Sequence, residues 1–133
     1  GENDGIKVNM AVISDEGLVG HVISVTSNTA KVQTILDTSS AVSSVCGTAR
    51  DSMIVKGSLD DDEKLKATYI STQATILESD KVETSGLGGI YPKGITIGTI
   101  KQIVNTKNMS NRYAIIEPAV NFNKLETVLV ILN

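Results

Sequence analysis

Thr84-Ser85-Gly86-Leu87-Gly88-Gly89-Ile90-Tyr91-Pro92-Lys93-Gly94-Ile95-Thr96-Ile97-Gly98 holds five of the chain's eleven glycines and one of its two prolines. Glycine reaches backbone angles that a side chain forbids, and proline fixes its own φ, so this stretch specifies a tight loop. β-type runs flank it on both sides, at 82–85 and 95–105. A loop of this kind between strands sets the expectation for the whole chain: an all-β domain.

Composition agrees with that reading. Val, Ile and Thr contribute 14, 15 and 13 of the 133 residues, whereas Ala and Leu together contribute only 17. β-branched side chains are stiff and suit a pleated, half-buried surface, so the balance favours strands over helices. Tyr69, Tyr91, Tyr113 and Phe122 are the only aromatic residues, which makes the core aliphatic. So few rings give no stacking platform for single-stranded nucleic acid. A net charge of −3 with scattered basic residues supplies no stripe for phosphates, so no nucleic-acid partner is expected. The longest apolar runs span about six residues, well short of the roughly 20 that cross a bilayer. Gly1-Glu2-Asn3-Asp4 reads as the start of a fragment, from which an upstream anchor could have been removed.

Runs with a period of two recur along the chain, separated by turn signals. Strands are expected over 6–13, 18–26, 30–36, 42–46, 52–55, 64–71, 82–85, 95–105, 112–117 and 127–132. Within 18–26, Val19, His21, Ile23 and Val25 share one face, opposite Gly20, Val22 and Ser24. About ten short strands without a long helix point to a barrel or sandwich. One helical turn is expected from 123 to 126, with Asn123 as its cap. Gly17-Leu18-Val19-Gly20-His21-Val22-Ile23 is echoed by Gly94-Ile95-Thr96-Ile97-Gly98-Thr99-Ile100, each opening a strand that a second glycine kinks or bulges. The echo places both strands in one unit. Residues 1–40 and 85–133 would then form one β unit, with 41–84 inserted as a second.

The glycine-rich stretch resembles the T-S-G-L-G-G-I-x-P-K-G signature of the MreC family, the bacterial rod-shape-determining proteins. In this chain the signature residues are Thr84, Ser85, Gly86, Leu87, Gly88, Gly89, Pro92, Lys93 and Gly94. The similarity extends from Asp4-Gly5-Ile6-Lys7-Val8 through Glu16-Gly17-Leu18-Val19-Gly20 to Ile116-Glu117-Pro118-Ala119-Val120 and Leu125-Glu126-Thr127-Val128. Ser79-Asp80-Lys81 departs from the family's usual Val-Gly-Asp, and Asn121 stands where the family often has Asp. The resemblance implies two small β-barrels, loosely similar to chymotrypsin-like proteases but without their catalytic residues. It implies an N-terminal membrane helix and a coiled coil beyond this segment. It also implies a scaffold on the extracytoplasmic face of the membrane, with a role in building the lateral peptidoglycan wall. That scaffold self-associates and binds a class B penicillin-binding transpeptidase and other membrane proteins of the elongation machinery.

Each candidate for chemistry has a plainer explanation. His21, Asp37 and Ser85 occur in the order of a protease triad, which keeps a cell-wall hydrolase or serine protease as the alternative function. A triad, however, is a matter of geometry rather than order, and His21 alternates with apolar residues on a strand. Gly86-Leu87-Gly88-Gly89 precedes a proline turn and a strand, not the helix N-terminus of a phosphate loop. Asp60-Asp61-Asp62-Glu63 lacks the alternating ligands and glycine of a calcium loop and fits a solvated hairpin tip. Cys46 is the sole cysteine and reads as a small buried hydrophobe. No catalytic residue, metal or cofactor is expected, nor is direct binding of glycan, for which aromatic platforms are few.

Overall fold

A computed structural model describes residues 1–106 and 111–132. Among the described residues ten strands form two antiparallel sheets. They are β1 (Ala11–Ile13), β2 (Leu18–Val25), β3 (Ala30–Thr34), β4 (Val42–Cys46), β5 (Asp51–Gly57), β6 (Leu65–Thr68), β7 (Lys81–Thr84), β8 (Thr96–Val104), β9 (Tyr113–Pro118) and β10 (Leu129–Val130). One sheet is four-stranded, in the order β10-β1-β2-β3. The other closes into a six-stranded barrel, β4-β5-β6-β9-β8-β7, with β7 returning to β4 through Ser44 opposite Thr84. Among the described residues the only helical pieces are 3-10 turns, Glu2–Asp4 and Phe122–Lys124.

The expected all-β class is thus what the chain adopts, with one closed barrel and a second, four-stranded sheet. The expected division at residue 85 is corrected. β7, β8 and β9 belong to the barrel with β4, β5 and β6, so the two sheets part near residues 41 and 119. The glycine echo misled because it reports local strand geometry, not partner choice: β2 lies in the four-stranded sheet and β8 in the barrel. The first expected strand shortens because Asn9 takes φ 74, a left-handed angle that asparagine tolerates, which interrupts the ladder before Ala11. The helical turn begins earlier than expected, and its cap is Asn121, whose side chain accepts from the Asn123 amide at 3.1 Å.

Alternation along β1 and β2 explains how the two sheets share a core. Ala11 and Leu18 face one way and join Ile35 and barrel residues such as Met53, Leu65, Ile97 and Ile116 in the main cluster. Val12 and Val19 face the other way and pack with Met10, Val22 and Val120 in a second cluster. Both faces of this sheet are therefore covered at its centre. Complete burial of such an aliphatic side chain contributes about 1.5–3 kcal/mol, so these contacts dominate the fold. The long connection from β6 to β7 sends Ile70, Ala74 and Ile76 into the main cluster, so it acts as part of the core wall.

Candidate functional site

The glycine-rich loop leaves β7 and returns to β8, and three polar side chains hold it. Thr84 is fully buried; its Oγ1 donates to the Pro92 carbonyl at 2.6 Å and accepts from the Ile95 amide at 2.8 Å. One threonine hydroxyl thus fastens the loop's exit to its entry. Ser85 Oγ donates to the Ser43 carbonyl at 3.1 Å, tying the loop to β4, and accepts from the Leu87 amide at 3.1 Å. Tyr91 is buried, and its hydroxyl lies 2.9 Å from His21 Nδ1, with the rings edge to face at a centroid distance of 5.8 Å. This last contact crosses from the barrel loop to β2 of the other sheet.

The glycines serve the backbone. Gly86, Gly88, Gly89 and Gly94 have φ of 84, 93, 81 and 90, angles costly to any residue with a Cβ. At Gly86 a Cβ would also stand 2.9 Å from Lys93 Cβ. The loop's tip is exposed, and Leu87 projects from it into solvent.

The triad order does not become a triad. His21 Nδ1 faces Tyr91, Asp37 Oδ1 accepts from the Ser39 amide at 2.8 Å, and Ser85 Oγ is engaged by Ser43 and Leu87. Burial lowers the His21 pKa below its usual 6.5 and pushes the Tyr91 phenol up to about 12, against a smaller opposing effect of the Ser40 hydroxyl. Both groups are therefore neutral near pH 7, and the phenol can donate to an unprotonated Nδ1. The pair is arranged to join two sheets.

Asp60-Asp61-Asp62-Glu63 lies in the connection between β5 and β6, exposed, with the Glu63 amide donating to Asp61 Oδ1 at 2.9 Å. Among the described residues no three His, Cys, Asp or Glu side chains gather as a metal site. Cys46 is buried, and burial, followed by the Asp80 and Asp51 charges, pushes its thiol up to about 12, so a thiolate is strongly disfavoured. Sequence reasoning missed the surface of the barrel itself. Leu59, Tyr69 and Leu87 are all exposed there, around two concavities that share Tyr69.

Residues 1–132 match the family model of the rod shape-determining protein MreC, barrel core. The chain belongs to the MreC family. The cell shape-determining protein MreC of Listeria monocytogenes is 34% identical over 98% of this chain and 45% of its own length. That of Bacillus subtilis is 28% identical over 98% of this chain and 49% of its own. The chain thus spans about half the length of these curated MreC relatives. The crystal structure of MreC from Pseudomonas aeruginosa superposes with a TM-score of 0.91 at 29% identity, covering 98% of this chain and 84% of that one. Two more distant solved structures share the fold. One is MreC from Helicobacter pylori in complex with the penicillin-binding protein PBP2, 20% identical with a TM-score of 0.75 over 90% of this chain and 74% of that one. The other is the major periplasmic domain of the cell shape-determining filament MreC, 22% identical with a TM-score of 0.75 over 90% and 74%.

Proposed function

We propose that this chain is a non-enzymatic, extracytoplasmic scaffold domain of the machinery that builds the lateral peptidoglycan wall. It acts through contacts with a class B penicillin-binding transpeptidase, with other membrane proteins of the complex, and with copies of itself. The observation that carries this reading is family membership over 1–132, joined to the H. pylori relative whose structure includes PBP2. The filament-forming relative supports self-association and a periplasmic location. Features of the chain itself agree. Its candidate triad residues are spent on structural bonds, and β3 and β10 are the outer strands of the open sheet among the described residues, positions at which a further strand can pair. The signature loop, in this reading, is a structural clasp whose product is a fixed surface.

Sedimentation of the chain across a concentration series, with and without the extracytoplasmic domain of the transpeptidase from the same organism, tests the proposal. A species that is mostly monomeric when dilute, associates as concentration rises and binds the transpeptidase domain is expected. A strictly monomeric species that ignores the partner would overturn it.

A further inference from the structure

A groove of about 830 Å³ crosses β5 and β6 on the outside of the barrel, with Leu59, Tyr69, Tyr113, Lys56 and Lys66 in its lining. Its charges are arranged against the stability of the isolated chain. Lys56 and Lys66 stand directly opposite each other across the two strands, where like charges repel. The described ion pairs are Gly1–Asp4, Arg50–Glu83 and Lys64–Glu117, and neither lysine of the groove belongs to one. Lys66 Nζ instead sits 4.3 Å from the centroid of the Tyr113 ring. Asp60 lines one end of the groove, but the neighbouring acids point elsewhere: Asp62 and Glu63 line a separate concavity beside Phe122.

Tyr69 adds a second, independent sign. It is 83% exposed and takes φ 56, a left-handed angle that is an outlier for a bulky residue. Its neighbours impose the posture. Thr68 is paired with Ile54 on one side, and on the other Ile70 is buried while Arg112 Nη2 holds the carbonyls of Ser71 and Ala74 at 2.6 and 2.7 Å. Glycine or asparagine would meet that backbone demand with less strain, yet the chain places a solvent-facing aromatic ring there. Strained residues that the surrounding structure over-determines cluster at functional sites. Leu59, 88% exposed, rims the groove on one side of Tyr69, and Leu87 of the signature loop shares a dip of about 200 Å³ with it on the other.

We infer that this groove is the docking site for an extended acidic segment of a protein partner, with an acidic side chain over Lys56 and Lys66 and an apolar one between Tyr69 and Leu87. Charge complementarity selects the segment: among the described residues neither Lys56 nor Lys66 has a carboxylate partner, and exposed Leu59 and Leu87 favour a peptide over a glycan. The inference rests on the partner-binding reading above and names the surface that reading lacks. It also gives the signature loop a task, since the clasp that fixes Leu87 fixes one wall of the site.

The test uses Tyr69→Gly, Lys56→Glu and Lys66→Glu, with the extracytoplasmic domain of the same organism's transpeptidase as probe. None of these variants should unfold the chain. Glycine relieves the left-handed angle, and either charge reversal turns a repulsive cross-strand pair into an attractive one, so thermal stability should hold or rise. Affinity for the probe should fall at least tenfold in each, and the salt dependence of binding should weaken in the two lysine variants. Wild-type chain that binds while all three variants bind equally well would overturn the site and leave the proposed function standing. Wild-type chain that fails to bind would overturn both. Two further outcomes would reassign the groove and so overturn the inference: Tyr69→Gly abolishing self-association while sparing the probe, or abolishing retention on purified peptidoglycan sacculi.

Discussion

β2 and β8 carry the same local design in two different settings. Counting from the second glycine of each, Gly20 and Gly98 are buried, Val22 and Ile100 are buried two residues later, and then two successive residues turn outward. Those are Ile23 and Ser24 in β2, and Lys101 and Gln102 in β8. The register shifts at equivalent places, between Val22 and Ser24 and between Ile100 and Gln102. Each glycine lies against the neighbouring strand's backbone: an added Cβ would meet Gln33 O at 1.9 Å or Glu117 O at 2.1 Å. What differs is the far face. Thr99 of β8 looks into solvent, as the outside of a closed barrel can, whereas His21 at the matching place in β2 is half-buried against Tyr91. The barrel buries its inner face in its own interior, so its outer face can stay wet. The open sheet gains its hold by being covered on both faces.

The comparison can be broken most sharply in the core. Ile100→Ala should destabilise the chain by about 3 kcal/mol and Val22→Ala by about 2, since each removes fully buried methyl groups. Ile23→Ala and Lys101→Ala, on the turned-out positions, should each stay within about 0.5 kcal/mol in urea unfolding. If Ile23→Ala costs as much as Val22→Ala, the bulge does not act as described.

Gly98→Ala and Gly20→Ala test the strand crossing next. Forcing a methyl group against a carbonyl should cost about 1–3 kcal/mol in both cases. Gly98→Ala should be the worse, because β9 is held on both sides by β6 and β8, whereas β3 is an outer strand that can yield. Equal losses of thermal stability would mean that closure adds no stiffness at this point.

In the loop that links the two settings, Gly86→Ala should cost about 1–2 kcal/mol and Gly89→Ala about 1 kcal/mol. Both require a left-handed angle, but only the first meets a neighbouring side chain. Thermal melts of the single variants check the order. A pH-dependent effect is expected at the His21–Tyr91 contact. Burial depresses the His21 pKa below 6.5, so the unfolded chain takes up this proton first as the pH falls. Stability from the neutral ring should be complete above about pH 6.5, decline from there to the folded-state pKa, and level off below it. His21→Gln should remove that part of the pH profile, while Tyr91→Phe should cost about 1 kcal/mol at neutral pH.

Much of this was legible in the residues, for reasons that are local. Period-two alternation and turn chemistry located ten strands, and the order Thr84-Ser85-Gly86-Leu87-Gly88-Gly89 specified a loop of left-handed glycines, because φ is limited by each residue's own Cβ. The family was legible in the same stretch. The expected face of Ile23 failed, because a bulge inserts one residue and reverses every side chain after it, and no residue type marks that insertion.

The sequence by itself determined that this chain is all β, where its strands and turns lie, and that its one histidine and one cysteine have no evident catalytic partners. Only the tertiary structure decided which strands meet. A strand offers the same backbone donors and acceptors to any neighbour, so β8 could pair with β2's sheet or with β9, and only the folded ladder, with Ile100 opposite Ile116, shows that it pairs with β9. The same dependence on register set Lys56 opposite Lys66, and the same packing held Tyr69 in a left-handed turn with its ring in solvent. Register within the β5–β6 hairpin and packing around residues 68–74 produce those features, and neither is marked by a residue type, which is why the groove had no signature to read.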